Sequence, residues 1–296
     1  MTLEHSPAAE VDVSMDLVAA LLADQHPDLA DLPLRQVAAG WDNAIVRIGD
    51  DLVARLPRRE AAVALIHHEQ RWLADLAPAL PLPVPDPVRT GAPGRGFPWP
   101  WSICQWMPGR SALDQPPTDP ATAATLGAFL AALHRPAPAD PPANPYRGVP
   151  LAVCDPVVRD RLDRLSGEVD APALRALWER LVTTPPWSGP PLWIHGDLHP
   201  GNLVVHDGAL TGVIDFGDIA AGDPATDLAV AWTLLSAKDR AAFRAAAGRN
   251  DDPDNWARAR AWAVQLGCAY LLSSSDRPEY GAMGRRALSE ALADER

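Results

Sequence analysis

WIHGDLHPGNLVVHDGALTGVIDFGD, residues 193–218, combines a tight turn and a hairpin with three polar side chains suited to chemistry. Asp207-Gly208 separates the apolar-rich runs LVV and ALTGVI, and an Asp-Gly pair between two such runs predicts a two-residue β-hairpin. Counting outward from that turn leaves Asp215 roughly 7 Å of strand beyond the level of Asn202. The sequence therefore predicts that one metal cluster can span Asn202 and Asp215, with Asp197 nearby.

The spacing of these residues is typical of phosphoryl transfer. Residues 195–202 read H-x-D-L-x-x-x-N, and the triplet Asp215-Phe216-Gly217 follows them, as in the catalytic loop and metal-binding triplet of kinases. This reaction needs metal ions on the phosphate oxygens and a carboxylate that orients the attacking hydroxyl. We therefore predict Asn202 and Asp215 as Mg²⁺ ligands and Asp197 as the catalytic residue. The alternative, two chance motifs in ordinary loops, is disfavoured by their order and by the apolar hairpin between them.

HGDLHPGN, IDFGD and GDPATDLA together resemble the aminoglycoside phosphotransferase family, antibiotic kinases of a kinase-like superfamily that include macrolide phosphotransferase-like members. The resemblance covers almost the whole chain. It implies an α+β, two-lobed protein-kinase-like fold with a small antiparallel-sheet N-lobe and a mainly helical C-lobe. It further implies a nucleotide-binding lobe over 1–103, a hinge over 104–110 and a catalytic and substrate-binding lobe over 111–296. Within the C-lobe, His195 and Asp227 are expected to support the catalytic loop.

Composition limits the possible partners. The chain has 296 residues, 47% of them hydrophobic, and a formal net charge of −12, which disfavours nucleic acid and raises the local concentration of cations. The three cysteines are far apart and lack metal-ligand spacing. No apolar stretch approaches the length of a membrane span, and the N-terminus shows no targeting pattern, so a cytoplasmic location is expected.

The segment LRQVAAGWDNAIVRIGDDLVARLPRR, residues 34–59, predicts three strands joined by a Gly-containing turn and an Asp-rich turn. The first turn, Gly40-Trp41-Asp42-Asn43, takes the place of the glycine-rich phosphate loop of protein kinases. We assign Asp42 and Asn43 to nucleotide covering, with an ordinary hairpin turn as the alternative.

The third of these strands is expected to bring a cation to the nucleotide phosphates, normally a lysine paired with a glutamate on the next helix. The single lysine, Lys238, lies downstream of the DFG triplet and cannot serve. By position the role falls to Arg55, whose planar guanidinium can bind both phosphate and carboxylate. Its expected partner is Glu69, with Glu60 as the alternative.

A buried strand with three tryptophans over 99–107 leads into Pro108-Gly109. We interpret residues 104–108 as the part of the hinge whose backbone binds the purine, which assigns Gln105 and Met107 to nucleotide binding. Periodicity and capping signals predict further helices over 12–25, 119–134, 155–165, 171–183, 238–248, 253–272 and 280–293. In the C-lobe, Asp218, Trp256 and Tyr270 are candidates for acceptor binding, with an ordinary surface or core residue as the alternative for each.

GDPATDLA follows DFG at once and no A-P-E motif appears, so the platform on which protein kinases bind a peptide is missing. We therefore expect a small hydroxyl compound as acceptor, ATP or GTP as donor and Mg²⁺ as cofactor, in a monomer or homodimer that binds neither nucleic acid nor membranes. An aminoglycoside or macrolide antibiotic, either cationic or neutral, is the first choice of acceptor. The alternatives are a metabolic kinase for a sugar or amino alcohol, similar to choline, fructosamine or homoserine kinases, and a catalytically silent nucleotide-binding regulator.

Overall fold

The computed structural model describes residues 8–39, 41–248, 252–273 and 276–294. The chain forms two compact units. Among the described residues, the N-terminal unit comprises those up to Pro108 together with Val213–Gly217, and the C-terminal unit comprises Gly109–Gly212 and those from Asp218 onwards. The predicted lobe boundaries and the hinge over 104–110 stay predictions.

The N-terminal unit is built on a five-stranded antiparallel sheet of order β1-β2-β3-β5-β4. Its elements are α1 (Met15–Gln25), β1 (Leu34–Ala39), β2 (Asn43–Ile48), β3 (Leu52–Pro57), α2 (Val63–Leu76), β4 (Pro87–Gly91) and β5 (Trp101–Gln105). The predicted succession of three strands over 34–59 and the helix before them is confirmed.

Ser14 caps the N-terminus of helix α1, because its hydroxyl accepts a hydrogen bond from the Leu17 N–H. Its buried residues, among them Leu21 and Leu22, belong to one hydrophobic cluster with residues of β2, β3 and β5. Helix α2 buries Ile66, Glu69, Leu73 and Leu76, a spacing that places all four on one face. Glu69 is therefore carried into the interior by the apolar stripe of its own helix.

The C-terminal unit is mainly helical, with two small sheets of order β6-β8-β9 and β10-β7. Its helices are α3 (Thr122–Leu133), α4 (Leu151–Arg164), α5 (Ala171–Leu181), α6 (Ala225–Leu228), α7 (Val230–Leu234), α8 (Arg240–Ala247), α9 (Pro253–Leu272) and α10 (Pro278–Ala293). Its strands are β6 (Arg110–Ser111), β7 (Leu192–Ile194), β8 (Leu203–His206), β9 (Ala209–Val213), which runs on into the N-terminal unit, and β10 (Ala220–Gly222). Helix α9 is the central element of this unit because it packs against α4, α5, α6, α7 and α10.

The predicted hairpin is confirmed. Strands β8 and β9 are neighbours, and the two residues between them, Asp207 and Gly208, have φ angles of 49° and 81°. Positive φ at both positions is the requirement of a type I′ turn, which explains the Asp-Gly pair. The antiparallel-sheet and helical units together confirm the predicted α+β, kinase-like fold class.

The predicted start of helix α4 at residue 155 is wrong, because the helix begins at Leu151. Asp155-Pro156 resembles an N-cap followed by a first-turn proline, yet Pro156 lies inside the helix. Leu151 and Cys154 are buried, so packing of the first turn outweighs the local signal. Within the residues described, no helix has the length and apolar character needed to cross a membrane.

Candidate active site

A buried arginine connects two carboxylates within the N-terminal unit. The Arg55 side chain reaches from β3 and donates to Glu69 Oε1 at 2.7 Å and to Asp215 Oδ1 at 3.3 Å. Arg55 is 6% exposed and Glu69 is 1% exposed. The structure thus brings together Arg55 and Glu69 as well as the aspartate of the DFG triplet.

Electrostatics keep this guanidinium charged. Burial lowers the pKa of Arg55, but the neighbouring charges of Glu69 and Asp215 outweigh burial, so the pKa is raised. For Glu69 burial is the larger effect and raises the pKa to about 7 against the opposing charge of Arg55. A fixed positive charge therefore lies beside Asp215, as a site for phosphate oxygens requires.

Asp215 combines an unusual backbone conformation with an exposed side chain. Its φ is 63°, in the left-handed region that non-glycine residues seldom adopt. Its side chain is 52% exposed, although one carboxylate oxygen faces Arg55. Exposed carboxylate oxygens are ligands that Mg²⁺ accepts, so Asp215 fits the predicted role.

The other residues assigned to the nucleotide lie at strand ends of the same unit. Asp42 forms an ion pair with Arg59, and Asn43 is buried at the start of β2 opposite Pro57. Gln105 is exposed at the end of β5, and Met107 is half-buried. Gly40 of the predicted covering loop lies outside the described residues. The nucleotide-binding roles of these side chains stay predictions.

In the C-terminal unit, Asp227 fixes the start of the catalytic loop. Its fully buried carboxylate accepts from the His195 N–H at 2.8 Å and from the Gly196 N–H at 2.9 Å. The His134 Nε2 lies 3.0 Å from the same carboxylate. The loop backbone around His195 is therefore held by side-chain contacts, and the sequence contained no signal for the part of His134.

The next residues of the loop hold one another. The Asn202 Nδ2 donates to the Asp197 carbonyl oxygen at 2.9 Å, and the Asp197 N–H donates to His195 Nδ1 at 3.2 Å. The Gly201 N–H donates to His199 Nδ1 at 3.0 Å, and His199 Nε2 lies 3.5 Å from Asp197 Oδ2. Because its amide nitrogen is engaged by the loop, Asn202 has Oδ1 left for a cation. An amide oxygen and a carboxylate fit the ligand chemistry of Mg²⁺.

Arg147 contacts the catalytic carboxylate, a contact that we did not predict from the sequence. Its guanidinium donates to Asp197 Oδ1 at 2.9 Å. Burial raises the pKa of Asp197, but the His199 hydrogen bond and the Arg147 charge outweigh burial and hold that pKa well below its usual range. Arg147 lies in the Pro-rich loop before α4, where nothing but the Arg-Gly pair distinguishes it.

The predicted acceptor contacts separate into two places. Asp218 accepts from Asn144 Nδ2 at 2.7 Å, and the Tyr270 ring lies 5.4 Å from the His199 ring, next to the catalytic loop. Trp256 instead packs on Phe243, with ring centroids 5.9 Å apart. Trp256 and Tyr270 lie near opposite ends of α9, roughly 21 Å apart at the helical rise of 1.5 Å per residue. The structure therefore does not bring Trp256 to the catalytic loop.

Comparisons with known proteins show the family to which the chain belongs. Residues 33–262 match the model of the family described as "Phosphotransferase enzyme family". An aminoglycoside 3'-phosphotransferase of Escherichia coli is 27% identical over 156 residues, which cover 46% of this chain and 52% of that enzyme. The solved GDP complex of aminoglycoside 2'-phosphotransferase-IIIa superposes with a TM-score of 0.65 at 19% identity, covering 93% of this chain and 97% of the other. Macrolide 2'-phosphotransferase of Brachybacterium faecium gives 0.59 at 26% identity, with 96% and 100% covered. The chain belongs to the phosphotransferase enzyme family.

Proposed function

We propose that the protein transfers the γ-phosphate of ATP or GTP to a hydroxyl group of a small antibiotic of the aminoglycoside or macrolide type. The observation that carries the proposal is the catalytic loop, in which the Asp197 carboxylate is oriented on a backbone fixed by Asp227. The aminoglycoside and macrolide phosphotransferases to which the chain is similar support the choice of acceptor.

In this proposal Asp197 accepts the hydrogen bond of the acceptor hydroxyl and aims its oxygen at the γ-phosphorus. As the new oxygen–phosphorus bond forms and the bond to the leaving nucleoside diphosphate breaks, the hydroxyl proton passes to Asp197. The low pKa of Asp197 makes it a weak base. A loose phosphoryl transition state does not demand early proton removal, so orientation of the hydroxyl is the larger part of its role.

The remaining residues serve the donor. Asn202 and Asp215 are the proposed Mg²⁺ ligands, and bound Mg²⁺ would neutralise charge on the phosphate oxygens. Arg55 binds phosphate oxygens, and Glu69 fixes the direction of its guanidinium through the 2.7 Å contact. His195 and Asp227 hold the backbone of the catalytic loop in place.

The test is acceptor-dependent release of nucleoside diphosphate, measured with both nucleotides across aminoglycosides, macrolides and simple amino alcohols. Asp197→Asn should lower turnover with the best acceptor roughly 100- to 10,000-fold, because the substitution removes the carboxylate that orients the hydroxyl and accepts its proton. Nucleotide affinity measured by calorimetry should change little. Asp163→Asn is the matched control, since Asp163 forms an exposed ion pair with Arg175 in the same unit. Turnover of Asp197→Asn close to that of the parent, or no acceptor-dependent release from the parent, would refute the proposal.

A further inference from the structure

The catalytic carboxylate already has a positively charged partner. Arg147 lies 2.9 Å from Asp197 Oδ1, with the two side chains 20% and 26% exposed. The charge of Asp218 also acts on Arg147, and Arg161 is a second guanidinium close enough to Arg147 to oppose its charge. The Asp197 carboxylate is therefore already paired with a guanidinium, which reduces the negative charge that it presents to a cationic acceptor.

The position of Arg147 is built into the fold. Its neighbour Gly148 has φ 66°, donates from its N–H to the Thr226 hydroxyl at 3.0 Å, and accepts from the Asp223 N–H at 3.0 Å. A Cβ at Gly148 would meet the Ile194 side chain at 2.8 Å. The loop is thus anchored beside β7, and an acceptor cannot remove the guanidinium without separating a partly buried ion pair.

Aromatic rings surround His199, which lies next to Asp197 in the catalytic loop. The His199 ring lies 5.4 Å from those of both Tyr270 and Tyr280, and the two tyrosine rings are 6.4 Å apart. The Arg277 guanidinium lies over the Tyr280 ring at 4.3 Å. Rings favour apolar or sugar-like surfaces, and one ring face that could take an ammonium group already holds a cation.

We propose that Arg147 is a specificity-determining residue that disfavours polycationic acceptors, which narrows the proposed acceptor from the aminoglycoside type to the macrolide type. The inference rests on the proposed function, because it takes Asp197 as the residue that meets the acceptor hydroxyl. The overall charge of −12 favours cations in general. At physiological salt that field is screened beyond about 8 Å, so the guanidinium in contact with Asp197 dominates at the reacting hydroxyl.

The test is calorimetric binding of a polyamine probe, kanamycin, to the full chain and three variants. Arg147→Met should bind kanamycin about tenfold tighter or more, because a like charge is removed next to Asp197. Arg147→Lys, which keeps the charge, should stay within about threefold of the parent. Arg175→Met changes the net charge equally but removes an arginine paired with Asp163, so it is the matched control.

A gain that shrinks when NaCl is raised from about 0.1 to 0.5 M would support the charge mechanism, since salt screens exposed charges. An affinity of Arg147→Met within threefold of the parent, or an equal gain in Arg175→Met, would overturn the inference. Arg147→Gln is measured as well in case the methionine variant unfolds, and thermal unfolding of each variant is recorded. Kanamycin binding requires no phosphate transfer. The binding experiment can therefore fail while acceptor-dependent turnover is observed, and the two failures can be told apart.

Discussion

In the proposed mechanism, Arg55 binds the phosphates of the nucleotide donor. Arg55→Ala should raise the nucleotide KM and lower turnover, because a phosphate-binding charge is lost. It should also reduce the free energy of unfolding, by at most about 3–5 kcal/mol, since Glu69 would lose its buried partner and would take up a proton. Glu69→Gln keeps the shape of the side chain and should give a milder loss of turnover. Steady-state kinetics and thermal unfolding measure these effects.

Arg89→Ala provides the control in the same unit. Arg89 forms an exposed, two-pronged pair with Asp28 at 2.7 Å, and exposed pairs contribute about 0–1 kcal/mol. Unchanged nucleotide kinetics in both Arg55→Ala and Glu69→Gln would show that another cation binds the phosphates.

Single residues differ in how far the sequence could predict them. The Arg55–Glu69 contact follows from chain order, because the third strand and the next helix of this fold carry the pair, and the apolar stripe of α2 turns Glu69 inward. The contact between Arg147 and Asp197 depends on the path of an irregular loop held by Gly148 and Thr226. No periodicity describes such a path, so the sequence could not predict it.

At the level of elements, the catalytic loop depends on a glycine for two separable reasons. Gly196 and Gly96 share a φ of 85°. A Cβ at Gly196 would overlap the carbonyl oxygen of Asp218, whereas a Cβ at Gly96 would meet nothing within 4 Å. Gly96→Ala therefore measures the cost of the backbone conformation alone, and Gly196→Ala measures that cost together with a clash against backbone.

We expect Gly96→Ala to lose about 1–2 kcal/mol of unfolding free energy, the cost of a left-handed conformation for a residue with a Cβ. Gly196→Ala should lose more, and its acceptor-dependent turnover should fall at least as far as that of Asp197→Asn, because the loop must move away from Asp218. Chemical denaturation and turnover assays measure both effects. Equal losses in the two variants would show that the catalytic loop tolerates the added methyl group.

Elements were more predictable than the positions of their ends. The type I′ turn at Asp207-Gly208 and helix α9 over 253–272 follow from local signals that tertiary packing reinforces. Helix α4 begins four residues before the Asp155-Pro156 signal because its first turn buries Leu151 and Cys154. Where the local signal and burial conflict, burial sets the end of the element, and burial is not visible in the sequence.

At the level of the whole molecule, alkylation of three buried cysteines can show whether each of the two compact units opens. Cys104 lies in the N-terminal unit, and Cys154 and Cys268 lie in the C-terminal unit. Burial raises the pKa of Cys104 and of Cys268 to about 12 and that of Cys154 to about 11. The reactive form of cysteine is the thiolate, so each thiol in the folded protein is protected by both exclusion and protonation.

The native protein at pH 8 should therefore resist iodoacetamide at all three positions, and unfolding in guanidinium chloride should expose all three to rapid alkylation, read by mass spectrometry of the peptides. Cys154 should be the first to react in the folded state, because it is 5% exposed where the other two are fully buried and its pKa is the lowest of the three.

The raised pKa values of the three buried thiols also make the stability of the protein depend on pH. Unfolded thiols lose their protons near pH 8.5 while folded thiols keep theirs, so the contribution of the thiols to stability declines as pH rises from about 8.5 towards 11. Alkylation of Cys104 or Cys268 in the native protein at the rate seen in denaturant would show that the unit containing that cysteine opens under native conditions.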